Sequence, residues 1–148
     1  MKEKKLINIF VEGAIPAKKI ADDIQKHASN TAIGAHSIFL GQVRADEKDA
    51  VLVSAIEYTA YQEMALEKMY EIREALFNKY SLTCLHVYHS LGTINVGEIC
   101  LFVFVSSKHR KSAIDACEEL VESIKKELPI WGKEICNNQT VVWKENIR

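Results

Sequence analysis

Hydrophobic positions along the chain switch between a period of two and a period near three and a half residues, which predicts strands alternating with helices. Residues 17–28, 60–80 and 109–128 carry apolar side chains at helical spacing, and each predicts a helix. Pro16 is well placed to open the first helix, and Pro129 ends the last one. The pattern therefore predicts three helices within a domain of the α+β class.

Extended segments fill the intervals between these helices. The predicted strands are residues 5–11, 32–44, 51–58, 82–89 and 98–107, followed by short extended pieces at 130–136 and 140–144. Gly41 interrupts the second strand and indicates a bulge or a close backbone approach. We expect 51–58 to pair with the strand before it, and Gly92 and Gly97 to bracket a turn. The run 98–107 is apolar on both faces, which predicts an interior strand.

Composition and charge set further bounds on the fold and its partners. With 148 residues, 48% of them hydrophobic, the chain can bury a real core, and we expect one domain over residues 1–148. The net charge of −1 and the lack of interleaved aromatic and basic residues disfavour nucleic-acid binding. No apolar run approaches the roughly 18 residues that span a membrane, and no secretory signal is apparent. We expect a cytoplasmic protein.

The cysteines and histidines do not have the spacing of a metal site. No two of the four cysteines lie two to four residues apart. Cys84, Cys100 and Cys117 fall in apolar patterns, which predicts buried thiols in a reducing compartment. His86 and His89 are three residues apart in a predicted strand, so their side chains should point to opposite faces. The sequence therefore predicts no metal site and no cofactor.

Three segments concentrate cationic and aromatic side chains at the ends of predicted elements. They are residues 39–44, 106–112 and 129–134. Together they predict a basic pocket for an anionic substrate. Lys125 lies at the edge of the apolar stripe of the last helix, where partial desolvation would lower the pKa of its amine and make it a base or nucleophile. The alternative is a lysine whose stem packs while its ammonium interacts with the helix C-terminus.

The junction of the most apolar strand and the last helix is the candidate anion site. His109 and Arg110 lie there, where free backbone N–H groups favour an anion and arginine can bind phosphate through two bonds. The alternative is an exposed loop with solvated charges, in which Ser106 or Ser107 caps the helix.

Two other aromatic and basic positions have less specific interpretations. Phe39 is either a core residue or the wall of a groove, and Arg44 ends a strand beside a polar loop. Trp131 is interpreted as a packing residue that anchors the segment after the last helix.

In this order and at this spacing, the segments resemble the MoaE family, the large catalytic subunits of molybdopterin synthase. The resemblance rests on residues 39–44, 91–98, 107–113, Lys125 and 129–134, and extends from about residue 35 to about residue 145. It implies an α/β-hammerhead fold with an antiparallel sheet and flanking helices. It also implies a homodimer at the centre of a heterotetramer, whose partner is a small ubiquitin-like, MoaD-like sulfur carrier with a thiocarboxylated Gly-Gly terminus.

The implied reaction transfers sulfur from the carrier to cyclic pyranopterin monophosphate (precursor Z) and forms the dithiolene of molybdopterin. Lys125 matches the catalytic lysine of the family and would shuttle a proton or stabilise an intermediate. His109 and Arg110 would bind the substrate phosphate, and Arg44 would share that anion or hold the carrier's terminal carboxyl group. Phe39 would keep water from the thiocarboxylate.

The chain departs from the family pattern at two positions. A second family lysine is replaced by Gly132, and the next residue, Lys133, is the candidate for its catalytic role. Arg148 is the nearest match to a C-terminal arginine that reaches the neighbouring pocket in the dimer. If the change at Gly132 disables the pocket, the alternative is a docking module that binds the carrier without catalysis.

Overall fold

The computed structural model describes residues 4–144. Within this range there are three α-helices, α1 (Ala17–Lys26), α2 (Gln62–Lys79) and α3 (Arg110–Glu127), and a 3₁₀ turn (His27–Ser29) follows α1. The strands are β1 (Phe10–Glu12), β2 (Ala35–Gln42), β3 (Glu47–Lys48), β4 (Val51–Ala60), β5 (Cys84–Asn95), β6 (Ile99–Ser107), β7 (Ile130–Cys136) and β8 (Val141–Trp143). None of these helices is long and apolar enough to cross a membrane.

The strands form one sheet in the order β2-β6-β5-β4-β7-β8. β1 adds to β5 in parallel, β3 forms a short hairpin with β4, and the other pairings are antiparallel. The predicted α+β class, with an antiparallel sheet and flanking helices, is confirmed.

β6 lies between β2 and β5 and is buried on both faces, as its continuous apolar run predicts. Leu101, Val103 and Val105 point to the face that α2 and α3 cover. Phe102 and Phe104 point to the opposite face, where Ile15 and the residues of α1 pack on them. The sheet therefore has two sides with separate surroundings, and each side carries its own cluster of functional groups.

β5 is longer than predicted, because it continues through Gly92 to Asn95 instead of ending at His89. Gly92 has a φ of 86°, and a Cβ there would lie 2.6 Å from the Glu12 Oε1, so only glycine fits this bend without strain. Before the bend β5 pairs with β6, and after it with β4. The predicted turn is thus restricted to the residues around Gly97, whose φ is 87°.

Two other expectations about the strands are wrong. β4 does not pair with β2; its partners are β3, β5 and β7, because β2 is the edge strand beside β6. A hydrophobic pattern specifies the buried face of a strand but not its neighbour. The first strand contains only Phe10–Glu12, since only these residues reach β5. The bulge predicted at Gly41 is confirmed by a register shift between Gly41 and Gln42.

All four cysteines are free thiols. Cys100 and Cys117 are buried as predicted, whereas Cys84 and Cys136 are half-buried. Cys84 is accessible because it lies at the start of β5, where the strand enters the sheet.

Candidate active site

Lys125 lies in the last turn of α3, one residue after the buried Ile124. Burial lowers the pKa of the Lys125 amine, the neighbouring Lys144 lowers it further, and Cys100 partly opposes the shift. A lysine with a lowered pKa has more neutral amine near neutral pH than an ordinary surface lysine. The burial of Lys125 agrees with the desolvation expected at this position, and a lowered pKa suits a group that transfers protons.

A small pocket opens beside Lys125, at the point where β5 turns from β6 towards β4. Its lining comes from four elements and the segment after β8: Tyr58, His89, Ile124, Lys125, Ile130, Trp131, Gly132 and Lys144. The bend at Gly92 and the exit of the chain at Pro129 bring these elements together. The pocket combines an apolar wall with two amines and one imidazole, which is typical of a small-molecule site.

His89 is a buried imidazole, 3% exposed, that the sequence did not mark as a site residue. Its Nδ1–H donates to the Ser90 carbonyl oxygen at 2.8 Å, which leaves the lone pair on Nε2. Burial lowers the pKa of His89 to about 4, the Ser90 carbonyl opposes the shift, and Lys125 adds to it. The ring packs edge-on against Tyr58, with 5.0 Å between centroids. His89 is therefore a neutral hydrogen-bond acceptor beside Lys125.

A chain of hydrogen bonds forms the back of the pocket. The Tyr58 hydroxyl donates to the Cys100 Sγ at 3.5 Å, and the Cys100 thiol donates to the Gly41 carbonyl oxygen at 3.4 Å. Burial raises the pKa of Tyr58, with further contributions from Cys100 and Glu134. The phenol therefore stays protonated, and the chain links β4, β6 and β2 behind Lys125.

Lys133 does not line this pocket. Its Nζ lies 3.8 Å from the Glu57 Oε1 and 5.4 Å from the centre of the Trp143 ring. Gly132 lines the pocket, whereas the Lys133 side chain reaches Glu57 and Trp143, the residues that pair with it on β4 and β8. Lys133 is therefore outside the lining of this pocket, and the catalytic role that the resemblance implies for it stays a prediction.

Lys144 contributes the second amine instead. Its backbone N–H donates to the Gly132 carbonyl oxygen at 2.9 Å, which holds it directly beside the position of the missing family lysine. A Cβ at Gly132 would lie 3.1 Å from the Ile56 Cγ2 and 3.2 Å from the Tyr58 Cε1, so a side chain there would be crowded. Sequence reasoning missed Lys144 because the β7–β8 hairpin, and not a motif, brings it to the pocket.

The predicted anion site lies elsewhere on the same chain. His109 and Arg110 are exposed at the start of α3, where they line a shallow depression with Lys111, Ile114 and Asp115. Arg110 and Lys125 are 15 positions apart, which is about 22 Å along a helix. Within one chain, His109 and Arg110 therefore do not share a pocket with Lys125.

The remaining predicted residues lie at the edge strand or beyond it. Arg44 is exposed and forms an ion pair with Asp46, in which the Arg44 Nε lies 3.4 Å from the Asp46 Oδ1. Phe39 is half-buried and packs against the core under α3, so it is a core residue, as one of its two interpretations predicted. Arg148 lies outside the described residues.

Exposed apolar side chains lie on β7, on β8 and at the residue before α2, and one of them, Trp131, lines the pocket. Trp131 is 43% exposed and packs edge-on against Tyr61, which is 64% exposed. Val142 and Trp143 of β8 are also exposed. Trp131 thus belongs to the surface and pocket wall, whereas the sequence predicted only a packing role. Such clustered apolar exposure is typical of a docking surface.

Comparisons with known proteins agree with this geometry. The MoaE protein family matches residues 15–127. The molybdopterin synthase catalytic subunit of Pyrococcus abyssi is 36% identical over 120 residues, which are 81% of this chain and 80% of that protein. Molybdopterin synthase from Staphylococcus aureus has a similar structure, with a TM-score of 0.81 and 29% identity over 99% of this chain and 100% of that chain. A complex of subunits 1 and 2 of molybdopterin-converting factor from Helicobacter pylori has the same fold, with a TM-score of 0.77, 21% identity, and coverage of 93% and 89%. The chain therefore belongs to the MoaE protein family.

Proposed function

We propose that this chain is the catalytic subunit of molybdopterin synthase, a cytoplasmic sulfurtransferase. It transfers sulfur from the thiocarboxylated terminus of a small carrier to cyclic pyranopterin monophosphate and forms the dithiolene of molybdopterin. The observation that carries the proposal is the half-buried Lys125, with its lowered pKa, in a pocket of a MoaE family chain. The relative from Pyrococcus abyssi bears the name of this activity.

The chemistry needs a group that changes protonation state beside the reacting carbon. Each thiocarboxylate sulfur forms a C–S bond to a side-chain carbon of the pterin, and the oxygen substituent on that carbon leaves, taking up a proton where it departs as water. Water then cleaves the acyl–sulfur bond, so the sulfur stays on the substrate and the carrier is released as a carboxylate. Lys125 can stabilise the developing negative charge as an ammonium or accept a proton as an amine. The neutral His89 can accept a hydrogen bond through Nε2, and the apolar wall limits competing hydrolysis of the thiocarboxylate.

The exposed apolar side chains beside the pocket support docking of the carrier. Trp131 lines the pocket and packs against the exposed Tyr61, and a Gly-Gly tail is narrow enough to enter a small cleft. Aromatic side chains provide much of the binding energy at protein interfaces.

The direct test combines the purified chain with a thiocarboxylated carrier and precursor Z, and measures molybdopterin. Formation of product with consumption of two thiocarboxylates per molecule supports the proposal. Carrier binding measured by calorimetry, with no product, would instead favour the docking module, which the glycine at position 132 motivates. The presence of Lys144 in the pocket favours the enzyme.

Lys144→Met is expected to move the pH–rate profile to higher pH. The Lys144 ammonium lowers the pKa of Lys125, so its removal raises that pKa. In a plot of log kcat against pH, the limb that reports the ionisation of Lys125 should therefore move to higher pH. Lys126→Met serves as the control, because Lys126 is exposed on the same helical turn. An unchanged limb in Lys144→Met, or an equal shift in Lys133→Met, would contradict the assignment of the second amine to Lys144.

In a homodimer, the anion site of one protomer could lie beside the Lys125 pocket of the other, although the two are far apart within one chain. We propose that Arg110 and His109 of one protomer serve the Lys125 pocket of its partner, since they are about 22 Å from the pocket along their own α3. Lys125→Ala and Arg110→Ala should each be nearly inactive. After subunit exchange at equal amounts, half of the dimers contain one intact pocket, and about one quarter of the wild-type activity should return.

The control for this mixture combines Lys125→Ala with Lys125→Met, which leaves no intact pocket. Recovery of activity in the first mixture alone supports sharing between protomers. No recovery, with subunit exchange verified by mass spectrometry, would mean that the depression at His109 and Arg110 acts apart from the pocket.

A further inference from the structure

A second cluster of reactive side chains lies on the face of the sheet opposite Lys125. Cys84 and His86 project from β5, and His27 reaches them from the 3₁₀ turn after α1. The candidate ligand atoms of these three residues all lie within 4.8 Å of one another. They are separated by up to 59 positions in the sequence, so no spacing motif announces them.

The two imidazoles have the geometry of metal ligands. The Nε2 atoms of His27 and His86 are 3.1 Å apart. Two nitrogens at the usual zinc–nitrogen distance on a tetrahedral ion are separated by about 3.3 Å. The observed separation is therefore close to one edge of a tetrahedral site.

His27 is also held in the correct tautomer. Its Nδ1–H donates to the Asp23 carbonyl oxygen at 2.6 Å, so the Nε2 lone pair points at the cluster. A ligating histidine commonly donates its other ring N–H to a carbonyl or carboxylate, which fixes the ring orientation. The hydrogen bond is made within the chain, so His27 is arranged before any ion arrives.

A buried carboxylate and an aromatic ring lie beside the cluster. The Asp23 carboxylate is 4% exposed; its Oδ1 lies 3.2 Å from the Lys19 Nζ, and its Oδ2 has no hydrogen-bond partner among the described residues. Phe104 packs against the His27 ring, with 4.7 Å between centroids, and forms an apolar floor. A buried carboxylate and an apolar wall are typical surroundings of a tightly held metal ion.

We propose that His27, Cys84 and His86 bind a divalent transition-metal ion of the zinc class. The ion is held by two imidazole Nε2 atoms and one thiolate, and water completes a tetrahedron. Cys84 loses its proton on binding. The site ties the turn after α1 to β5 and so fastens α1 to the sheet. This departs from the sequence-based expectation of no metal, which considered spacing only within single elements.

Cobalt(II) titration of the chelator-treated full chain tests the site, because a cobalt–thiolate bond gives a charge-transfer absorption band. We expect one equivalent to bind with this band and with tetrahedral ligand-field bands. Cys84→Ser should remove the charge-transfer band. His27→Gln and His86→Gln should weaken cobalt binding by about tenfold or more. Cys136→Ser is the matched control, because Cys136 is another half-buried free thiol, and its titration should be unchanged.

Zinc supplies an independent measurement. At one zinc concentration, the melting temperature of the wild-type chain and of Cys136→Ser should rise more than that of the three ligand variants. Circular dichroism with chelator present establishes that each variant is folded. A wild-type chain with no thiolate band, or a band that Cys136→Ser removes, would overturn the proposal and leave only a hydrogen-bonded histidine pair.

Discussion

Lys125→Ala is expected to lower the rate of molybdopterin formation by a factor on the order of 10² to 10⁴, the usual contribution of a general acid–base group. The half-buried amine is next to the reacting centre in the proposed pocket, and the lowered pKa makes its proton easier to remove than that of a surface lysine. Alanine leaves only a methyl group at position 125, which can neither donate nor accept a proton. Single-turnover kinetics with thiocarboxylated carrier measure the chemical step directly.

Two companion variants separate catalysis from charge and folding. Lys126→Ala removes the exposed neighbouring amine and should keep wild-type turnover. Lys125→Arg keeps a cation but not an easily lost proton, so it should remain impaired if proton transfer is the role. Wild-type turnover in Lys125→Ala would remove this residue from the mechanism, whatever the behaviour of the other two.

His89→Gln is expected to reduce the amount by which the free energy of unfolding falls in acid. The folded-state pKa of His89 is about 4, below its ordinary value of about 6.5, so the unfolded chain binds more protons between these values. Its contribution to stability is therefore present above pH 6.5 and is lost as the pH falls towards 4. The loss amounts to about 3 kcal/mol for a group buried this completely.

Urea unfolding at pH 7 and at pH 4.5 measures this difference. The wild-type free energy of unfolding should fall more between the two conditions than that of His89→Gln, because glutamine does not titrate. His109→Gln is the control, since His109 is exposed at the start of α3 and does not line the pocket. Equal losses in wild type and His89→Gln would contradict the burial of a neutral imidazole in the pocket.

Local patterns were sufficient for the elements whose partners are close in sequence or strongly apolar. The three helices, the interior strand β6 and the bulge at Gly41 followed from periodicity and composition. Helical spacing placed Lys125 at the edge of a buried stripe, and the family resemblance then singled it out as the catalytic candidate. These features depend on a few residues of one segment, and hydrophobic burial acts on each segment in a similar way.

The pairing of the strands and the meeting of distant residues at one site did not follow from local patterns. β4 joined β5 and β7 instead of β2, since the order of strands depends on the packing of the whole sheet. His109, Arg110 and Lys125 each had the expected local setting, yet the length of α3 keeps them apart within one chain. His89 and Lys144 had no local signal, because a bend at Gly92 and a hairpin after β7 bring them to the pocket.

The sequence by itself determined the class of fold, the family resemblance and the lysine at the centre of the proposed chemistry. Only the tertiary structure decided which amine accompanies Lys125, which imidazole lies beside it, and that His27, Cys84 and His86 meet on the other face of the sheet. The reason is physical: burial along one element is encoded by its own periodicity, whereas contacts between distant elements depend on how all of them share a core.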